Sequence, residues 1–455
     1  MQNNQSKTIS GFSKLNKSDK IRWLAENFTS EATEAERVLT SFWHQDIDLQ
    51  RIMDGFSENT ISNFPIPYGI APNFMINGKP YAVPMVIEES SVVAAASGAA
   101  KYWQTRGGFH AEVISTFKLG QVHFLWKGDF EKLQSVFNDL KQQLLEDAVD
   151  ITCNMEKRGG GVKDMELLSF TTLEPEYYQL RVSFETCDSM GANFINSVLE
   201  KFSSTLEVFV QQHPIFDDSE KELDVVMSIL SNYTPDCLVR AWVECPVQAL
   251  SDEGNAAYFA EKFRRAVRIA QIDPYRATTH NKGIFNGIDA VVLATGNDFR
   301  AVEACGHTYA SRSGQYRSLS DCAIENGVFK FWLDIPLALG TVGGLTKLHP
   351  LAKLSLEILD NPSAEELMQI VAVTGLAQNF AALRSLVTTG IQKGHMKMHL
   401  TNILNHLGAN AFEAQEASYF FADKVVSFTA VREFLEVERS KLDRFTHFAG
   451  HPPAQ

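Results

Sequence analysis

Apolar positions along the chain keep two different periods, and the changes between them outline a fold. Over residues 16–49 they recur every three to four positions, with Ile21, Leu24 and Phe28 on one face. That spacing predicts two helices, the first opened by Asn16 or Ser18. "FMINGKPYAVPM" then sets β-type residues around an Asn-Gly pair, a hairpin signal. The small-residue run "SSVVAAASGAAKYW" returns to helical spacing and predicts a central, tightly packed helix. From about His110, "AEVISTF", "QVHFLW", "LLSFTTL" and "YYQLRVSFE" predict strands, 129–149 an amphipathic helix, and "CDSMGAN" opens a long helix to about Gln211. These elements do not alternate in strict βαβ order, which predicts an antiparallel α+β sandwich. Beyond Cys237, "CLVRAWVE" and "VFKFWLDIPLA" predict strands, 255–271 a helix and 363–388 a strongly periodic helix. After "QKGHMKMH" the pattern predicts short helices with polar faces, an appendage to the rest.

Composition sharpens the picture. The 455 residues, 45% apolar and 21% charged, suffice for about three domain-sized units. A net charge of −14 argues against nucleic acid, whose phosphates need a basic footprint. The densest basic group, Lys262, Arg264, Arg265 and Arg268, reads as the solvated face of a helix. Six cysteines without a C-x-x-C pair fit free thiols in a reducing compartment, so a cytoplasmic protein is expected. The N-terminus has no apolar signal region, and no uncharged apolar run reaches about eighteen residues, so no membrane span is expected.

Candidate chemistry gathers at a few places. In "THNKGIFNGID", Lys282 sits between Asn281 and Gly283, with an Asn-Gly pair at 286–287; both read as turns, directly before the apolar "AVVLATGND". A lysine where a turn enters a core needs a task or a partner. "RGGGVKD", "DSMGAN" and "GTVGGLT" are glycine clusters, but none is G-x-G-x-x-G or a Walker loop. Asp188 and Gly191 precede a long helix whose first amides would favour an anion. Glu88 and Glu89 read as acids in a helix's first turn, complementing its dipole, or as working carboxylates; Asp298 carries the same ambiguity. His395 and His399 have i, i+4 metal-ligand spacing, but no H-E-x-x-H glutamate is present, and only His406 offers a third ligand; no metal is expected.

Taken together and in order, "VPMVIEESSVVAAAS", "RGGGVKDME", "DSMGAN", "IDPYRATTHNKGIFNGIDAVVLATGNDFRAVEAC", "LALGTVGG" and "GHMKMH" carry a resemblance. The chain resembles 3-hydroxy-3-methylglutaryl-CoA (HMG-CoA) reductase, the soluble bacterial class, from about residue 50 to residue 400. The resemblance implies an α+β fold: a large, mostly helical substrate domain (1–109 and 232–391), an inserted small cofactor domain of antiparallel, non-Rossmann type (110–231) and a C-terminal helical flap (392–455). It also implies two-step reduction of HMG-CoA to mevalonate and CoA by NADPH or NADH, in a homodimer or larger assembly whose active sites combine two subunits. Mevalonate oxidation, the reverse reaction, and an inactive CoA-thioester-binding homologue are the rival expectations.

Carried onto this sequence, the resemblance implies Glu89, Lys282, Asp298 and His395 as catalytic, with Asp298 buried between Lys282 and Glu89. Substrate contacts are implied for Ser91, Arg276, Asn286, Glu58 and Asn59, and CoA-phosphate contacts for the segment holding Lys14. Cofactor contacts are implied for Asp188, Met190, Gly191, Asn193, Gly340, Gly343 and Gly344. Thr152 falls where NADH-preferring members carry an acid against the ribose, so a neutral hydroxyl there, with Lys157 and Arg158 near, predicts acceptance of NADPH; Asp150 would reverse this if the register slips by two. "ENTIS" (58–62) and Leu345 depart from the family pattern.

Overall fold

The computed structural model describes residues 7–251, 254–388, 400–422 and 424–448, the side chains of 441–448 excepted. Three helices, not two, occupy the N-terminal segment: Lys17–Phe28, Ala32–Ser41 and Ile47–Asp54. The extra break comes from Asp46, whose carboxylate accepts from the Asp48 and Leu49 amides and caps a new start. β1 (Tyr68–Ile76) and β2 (Lys79–Val86) form the expected hairpin, with Asn77 and Gly78 at φ 49° and 81° in the turn.

Two four-stranded antiparallel sheets follow. One runs β3 (His110–Val113), β8 (Leu238–Pro246), β10 (Val328–Pro336), β9 (Ser320–Glu325). The other runs β5 (Gly161–Ser169), β6 (Tyr177–Glu185), β4 (Lys118–Trp126), β7 (Leu223–Leu230). β3 is shorter than "AEVISTF" suggests because the chain leaves the first sheet after Val113 to reach the second. The predicted 129–149 helix is broken into Phe130–Ser135, Phe137–Asp147 and Val149–Glu156. Alternate residues of β4 are buried, and Val122, Phe124 and Trp126 join Leu199 and Phe202 of the Ala192–Gln212 helix in a separate core.

The larger core is built around two long helices, Pro274–Ala294 and Ala364–Val387. Asp273 caps the first, with Pro274 at its opening position; Ser363 and Glu366 form a capping box on the second. Trp103, Phe263, Phe329, Phe331 and Phe380 fill the space around them. Asn281–Gly283 and the Asn286–Gly287 pair both lie inside the continuous Pro274–Ala294 helix, so the predicted turns do not form. Tertiary contact overrides the local signal: Gly287 lies against the Thr374 backbone, where an added Cβ would come 2.7 Å from its carbonyl oxygen. Reciprocally, a Cβ on Gly375 would lie 2.7 Å from Ile288 Cγ1. Among the described residues, only Ala364–Val387 is long and apolar enough to cross a membrane, yet 72% of its most apolar window is buried in this core.

Residues 400–448 enclose a small apolar cluster of their own, including Leu404, Ala417, Phe421 and Val431. Its last helix, Phe428–Phe448, spans 21 residues and exceeds the short helices expected there.

Gly287→Ala forces the two helices apart. It is expected to destabilise the protein by about 1–3 kcal/mol, read as a lower urea midpoint; an unchanged midpoint would show that the contact is not tight.

Candidate active site

Lys282 is about two fifths of the way along the Pro274–Ala294 helix and reaches outward from the core. Its flanking residues are pinned beneath it. Buried Asn281 donates to the Arg317 carbonyl (2.9 Å) and accepts from the Leu319 amide (3.0 Å). Buried His280 meets Ser320 Oγ through Nε2 (2.7 Å), and Ser320 Oγ donates to Asn379 (2.8 Å). Burial, helped by nearby Arg276, pushes His280 down to about 3, so it stays neutral and structural. This polar bracket fixes the rotation of the helix, and therefore the direction of Lys282.

Glu89 precedes the Val92–Gln104 helix rather than sitting in its first turn, so dipole complementarity does not explain it. Instead Glu89 Oε2 accepts from Lys282 Nζ at 2.5 Å and faces Asn286 Nδ2 at 3.5 Å. Ser91 holds the turn between them in the left-handed region, φ 76°, a strained setting for a non-glycine residue. Glu89, Ser91, Lys282 and Asn286 all line one cleft of about 900 Å³. A Cβ on Gly283 would meet nothing within 4 Å, so that glycine leaves the cleft open beside Lys282. Arg276, one and a half turns earlier on the helix, is half-buried; burial lowers its pKa, and no carboxylate pairs with it among the described residues. A partly desolvated, unpaired guanidinium is suited to a carboxylate ligand.

Asp298 lies elsewhere. It caps the Phe299–Ala310 helix, accepting from the Arg300 and Ala301 amides, and is paired with Arg300 at 3.1 Å. Burial would raise its pKa, but the Arg300 side chain and these amides hold it below the ordinary value. From Lys282 to the helix end at Ala294 is roughly 18 Å along the axis at 1.5 Å per residue. The expected aspartate between Lys282 and Glu89 is therefore not found within one chain.

Asp298 instead adjoins the glycine loops. Its neighbour Asn297 accepts from the Gly340 amide (2.8 Å). Gly340 packs so closely on the Ser189–Met190 backbone that a Cβ would lie 2.5 Å from Met190 N. The Asp188 carbonyl accepts from the Thr341 amide (2.8 Å), and its carboxylate accepts from the Ala364 amide (2.8 Å). Asp188 thus clamps two loops, while Gly191, at φ 88°, opens the Ala192–Gln212 helix with its first amides bare of a side-chain cap. Gly343 and Gly344 have positive φ and open space around them. Bare helix amides beside open glycines fit a phosphate-bearing cofactor. Thr152 departs from expectation: only 1% exposed, its hydroxyl is buried in the Val149–Glu156 helix, whereas Asp150, Lys157 and Arg158 are exposed. Glu58 and Asn59 lie in a turn beyond the Ile47–Asp54 helix, next to Phe56, which stacks on His349 (5.6 Å between ring centroids); neither bonds to the Lys282 cleft. His395 and His399 are outside the described residues, and no group of three or more His, Cys, Asp or Glu among those described could hold a metal ion.

The hydroxymethylglutaryl-coenzyme A reductase family model matches residues 18–400. The chain belongs to this family. It is 36% identical to the 3-hydroxy-3-methylglutaryl-coenzyme A reductase of Archaeoglobus fulgidus, over 96% of this chain and 95% of that one. A probable HMG-CoA reductase of Borreliella burgdorferi is 31% identical over 96% and 95% of the two chains. An HMG-CoA reductase structure from Streptococcus pneumoniae superposes with a TM-score of 0.71 at 37% identity, covering 94% of this chain and 99% of that one. A class II structure from the same organism, bound to NADPH in open conformations, gives 0.69 at 38% identity over 84% and 100%. Sequence reasoning passed over Asn297 and the buried bracket of Asn281 and His280; "TGND" and "THNK" held the only signal, and it read as turn chemistry.

Farther along the helix from Lys282, Asp289 is largely buried close to the Glu303 carboxylate, with Oδ1 lacking a partner, and His307 lies one turn beyond Glu303. Burial and then the Glu303 charge raise the Asp289 carboxyl to about 8. The folded pKa lies above the unfolded value of 3.8, so the native state keeps this proton longer. Stability should fall as pH rises from about 4 to about 8 and level off above that window. Asp289→Asn removes the slope: the variant should gain stability over wild type between pH 5 and pH 8 in urea titrations. A difference that stays constant with pH would count against the raised Asp289 pKa.

Proposed function

We propose that this HMG-CoA reductase family member, an NAD(P)-dependent oxidoreductase, reduces HMG-CoA to mevalonate and CoA in two steps. The Lys282–Glu89 contact inside the cleft is the observation that carries the reading. The nicotinamide cofactor supplies the two hydrides, and the chain supplies charge, protons and position. The Lys282 ammonium stabilises the oxyanion as the thioester carbonyl becomes tetrahedral. Arg276 pairs with the substrate's free carboxylate, Ser91 and Asn286 orient its polar groups, and Glu58 and Asn59 contribute at the margin. His395, as imidazolium, protonates the departing CoA thiolate. The Glu89 carboxyl, beside Lys282, is placed to relay the proton that the second alkoxide takes up. Met190, Gly191, Asn193 and the Gly340–Gly344 loop hold the cofactor. NADPH is the proposed cofactor, with exposed Lys157 and Arg158 rather than Thr152 available to a ribose phosphate, and Asp150 opposing them.

The two halves of this machinery lie apart along one helix. Substrate groups surround Lys282; cofactor groups adjoin Asp298. An isologous homodimer resolves this, bringing Asp298 and the cofactor loops of the partner subunit to the Lys282 cleft, twice over. A cytoplasmic location belongs to the same reading.

Purified protein should consume NADPH only when HMG-CoA is added, and release free thiol; no turnover with either nicotinamide cofactor would overturn the function. Lys282→Ala and Asp298→Asn should each be inactive alone. Refolded together, they should recover about a quarter of wild-type activity, since half of randomly formed dimers are mixed and each holds one complete site. No recovery from two well-folded variants would exclude the shared site.

A further inference from the structure

The cleft does not end at the reacting groups. From Asn286 it runs past Gln378 and Phe380 to Arg384 and Ser385, near the end of the Ala364–Val387 helix, with Tyr102 on the facing wall. Gln378 and Arg384 are six residues apart, about 9 Å of helix. The cleft therefore extends well past what a six-carbon acyl group fills.

Arg384 is unusual among the cations of this wall. Its guanidinium lies over the Tyr102 ring, 4.6 Å from the centroid, and no salt bridge engages it among the described residues. Stacking of this kind fixes the guanidinium plane while leaving its edge donors available. Arg106 also stacks on Tyr102, at 4.0 Å, but its donors serve the backbone: Nε to the Ala249 carbonyl (2.7 Å) and Nη1 to the Tyr102 carbonyl (2.8 Å). Arg106 is the post that holds the ring in place. Nor is Arg384 needed to neutralise the negative end of its own helix, because Lys262 Nζ already donates to the Val387 carbonyl at 2.8 Å. A cation preset in a water-filled cleft, in a protein of net charge −14, marks a place for an anion.

We propose that Arg384, stacked on Tyr102, is the anion anchor for the phosphorylated nucleotide end of the thioester substrate. This rests on the reductase reading, which identifies the occupant of the cleft's inner end as an acyl-CoA. The pantetheine arm then follows the cleft from Asn286 past Gln378 and along the Ala364–Val387 helix, and a phosphate meets the guanidinium edge. Tyr102 and Arg106 are positioning residues, acting through Arg384.

The test compares wild type with Arg384→Gln on HMG-CoA, on the dephospho-CoA thioester and on the pantetheine thioester, which has no nucleotide. Wild-type turnover of HMG-CoA secures the reductase reading first; its absence would sink that reading, not this one. Arg384→Gln should raise KM for HMG-CoA tenfold or more with kcat within twofold. It should leave kcat/KM for the pantetheine thioester and for free mevaldehyde unchanged. An effect that persists with the dephospho substrate assigns the contact to the pyrophosphate; one that vanishes assigns it to the 3′-phosphate. Arg384→Lys, which keeps the charge, should recover most of the KM. An unchanged KM for HMG-CoA, or equal losses on the pantetheine thioester, would overturn the proposal.

Discussion

The close approach of the Pro274–Ala294 and Ala364–Val387 helices is the constraint on which the rest of the structure depends. Gly287 and Gly375 remove two side chains from the crossing, and the backbones meet where any Cβ would collide. Such contact fixes the sliding and rotation of each helix against the other, because overpacking either position costs more than it gains. Rotation decides which residues look outward. With Gly287, Ile284 and Ile288 turned into the contact, Lys282, Gly283 and Asn286 face the cleft. A lysine on a locked helix is better aimed than one on a loop, and oxyanion stabilisation rewards aim.

The electrostatics follow from that placement. Lys282 and Glu89 are in contact, yet their side chains are 59% and 40% exposed in the single chain. At that exposure an ion pair contributes little to stability. Its value lies in position, and a site that must favour developing charge needs water excluded. Among the described residues nothing covers the pair; the proposed partner face would supply that cover together with Asp298.

Much of the architecture was legible in the sequence. The Asn77–Gly78 hairpin, the alternation of β4 and the capped, periodic Ala364–Val387 helix each carry local signals that tertiary packing reinforces. Where the reading failed, a local rule lost to a contact invisible in one dimension. Asn281–Gly283 and Asn286–Gly287 obey turn statistics but serve a buried bracket, an open cleft and a helix crossing. Thr152 counts to the ribose position by register, while the packing of its helix turns it inward. The grouping of Lys282 with Glu89 was readable only through the motif resemblance, since 193 positions separate the two. Asp298 is the instructive case: the motif groups it with Lys282 and Glu89, whereas in the chain it caps the Phe299–Ala310 helix beside Arg300.

The same helix pair also ties the glycine loops to the Lys282 cleft. The first amide of Ala364–Val387 binds Asp188, whose carbonyl holds Thr341, while Asn297, just past the end of Pro274–Ala294, holds Gly340. Both loops are thus referenced to the ends of the two helices, whose middles interlock at Gly287 and Gly375. Hydride transfer tolerates little misplacement of donor and acceptor. If two subunits share each site, errors in each rod add to errors at the interface, so stiffness within the subunit is what makes sharing workable. Placing the glycines at the crossing, rather than in hinges beside the chemistry, meets that demand with one contact.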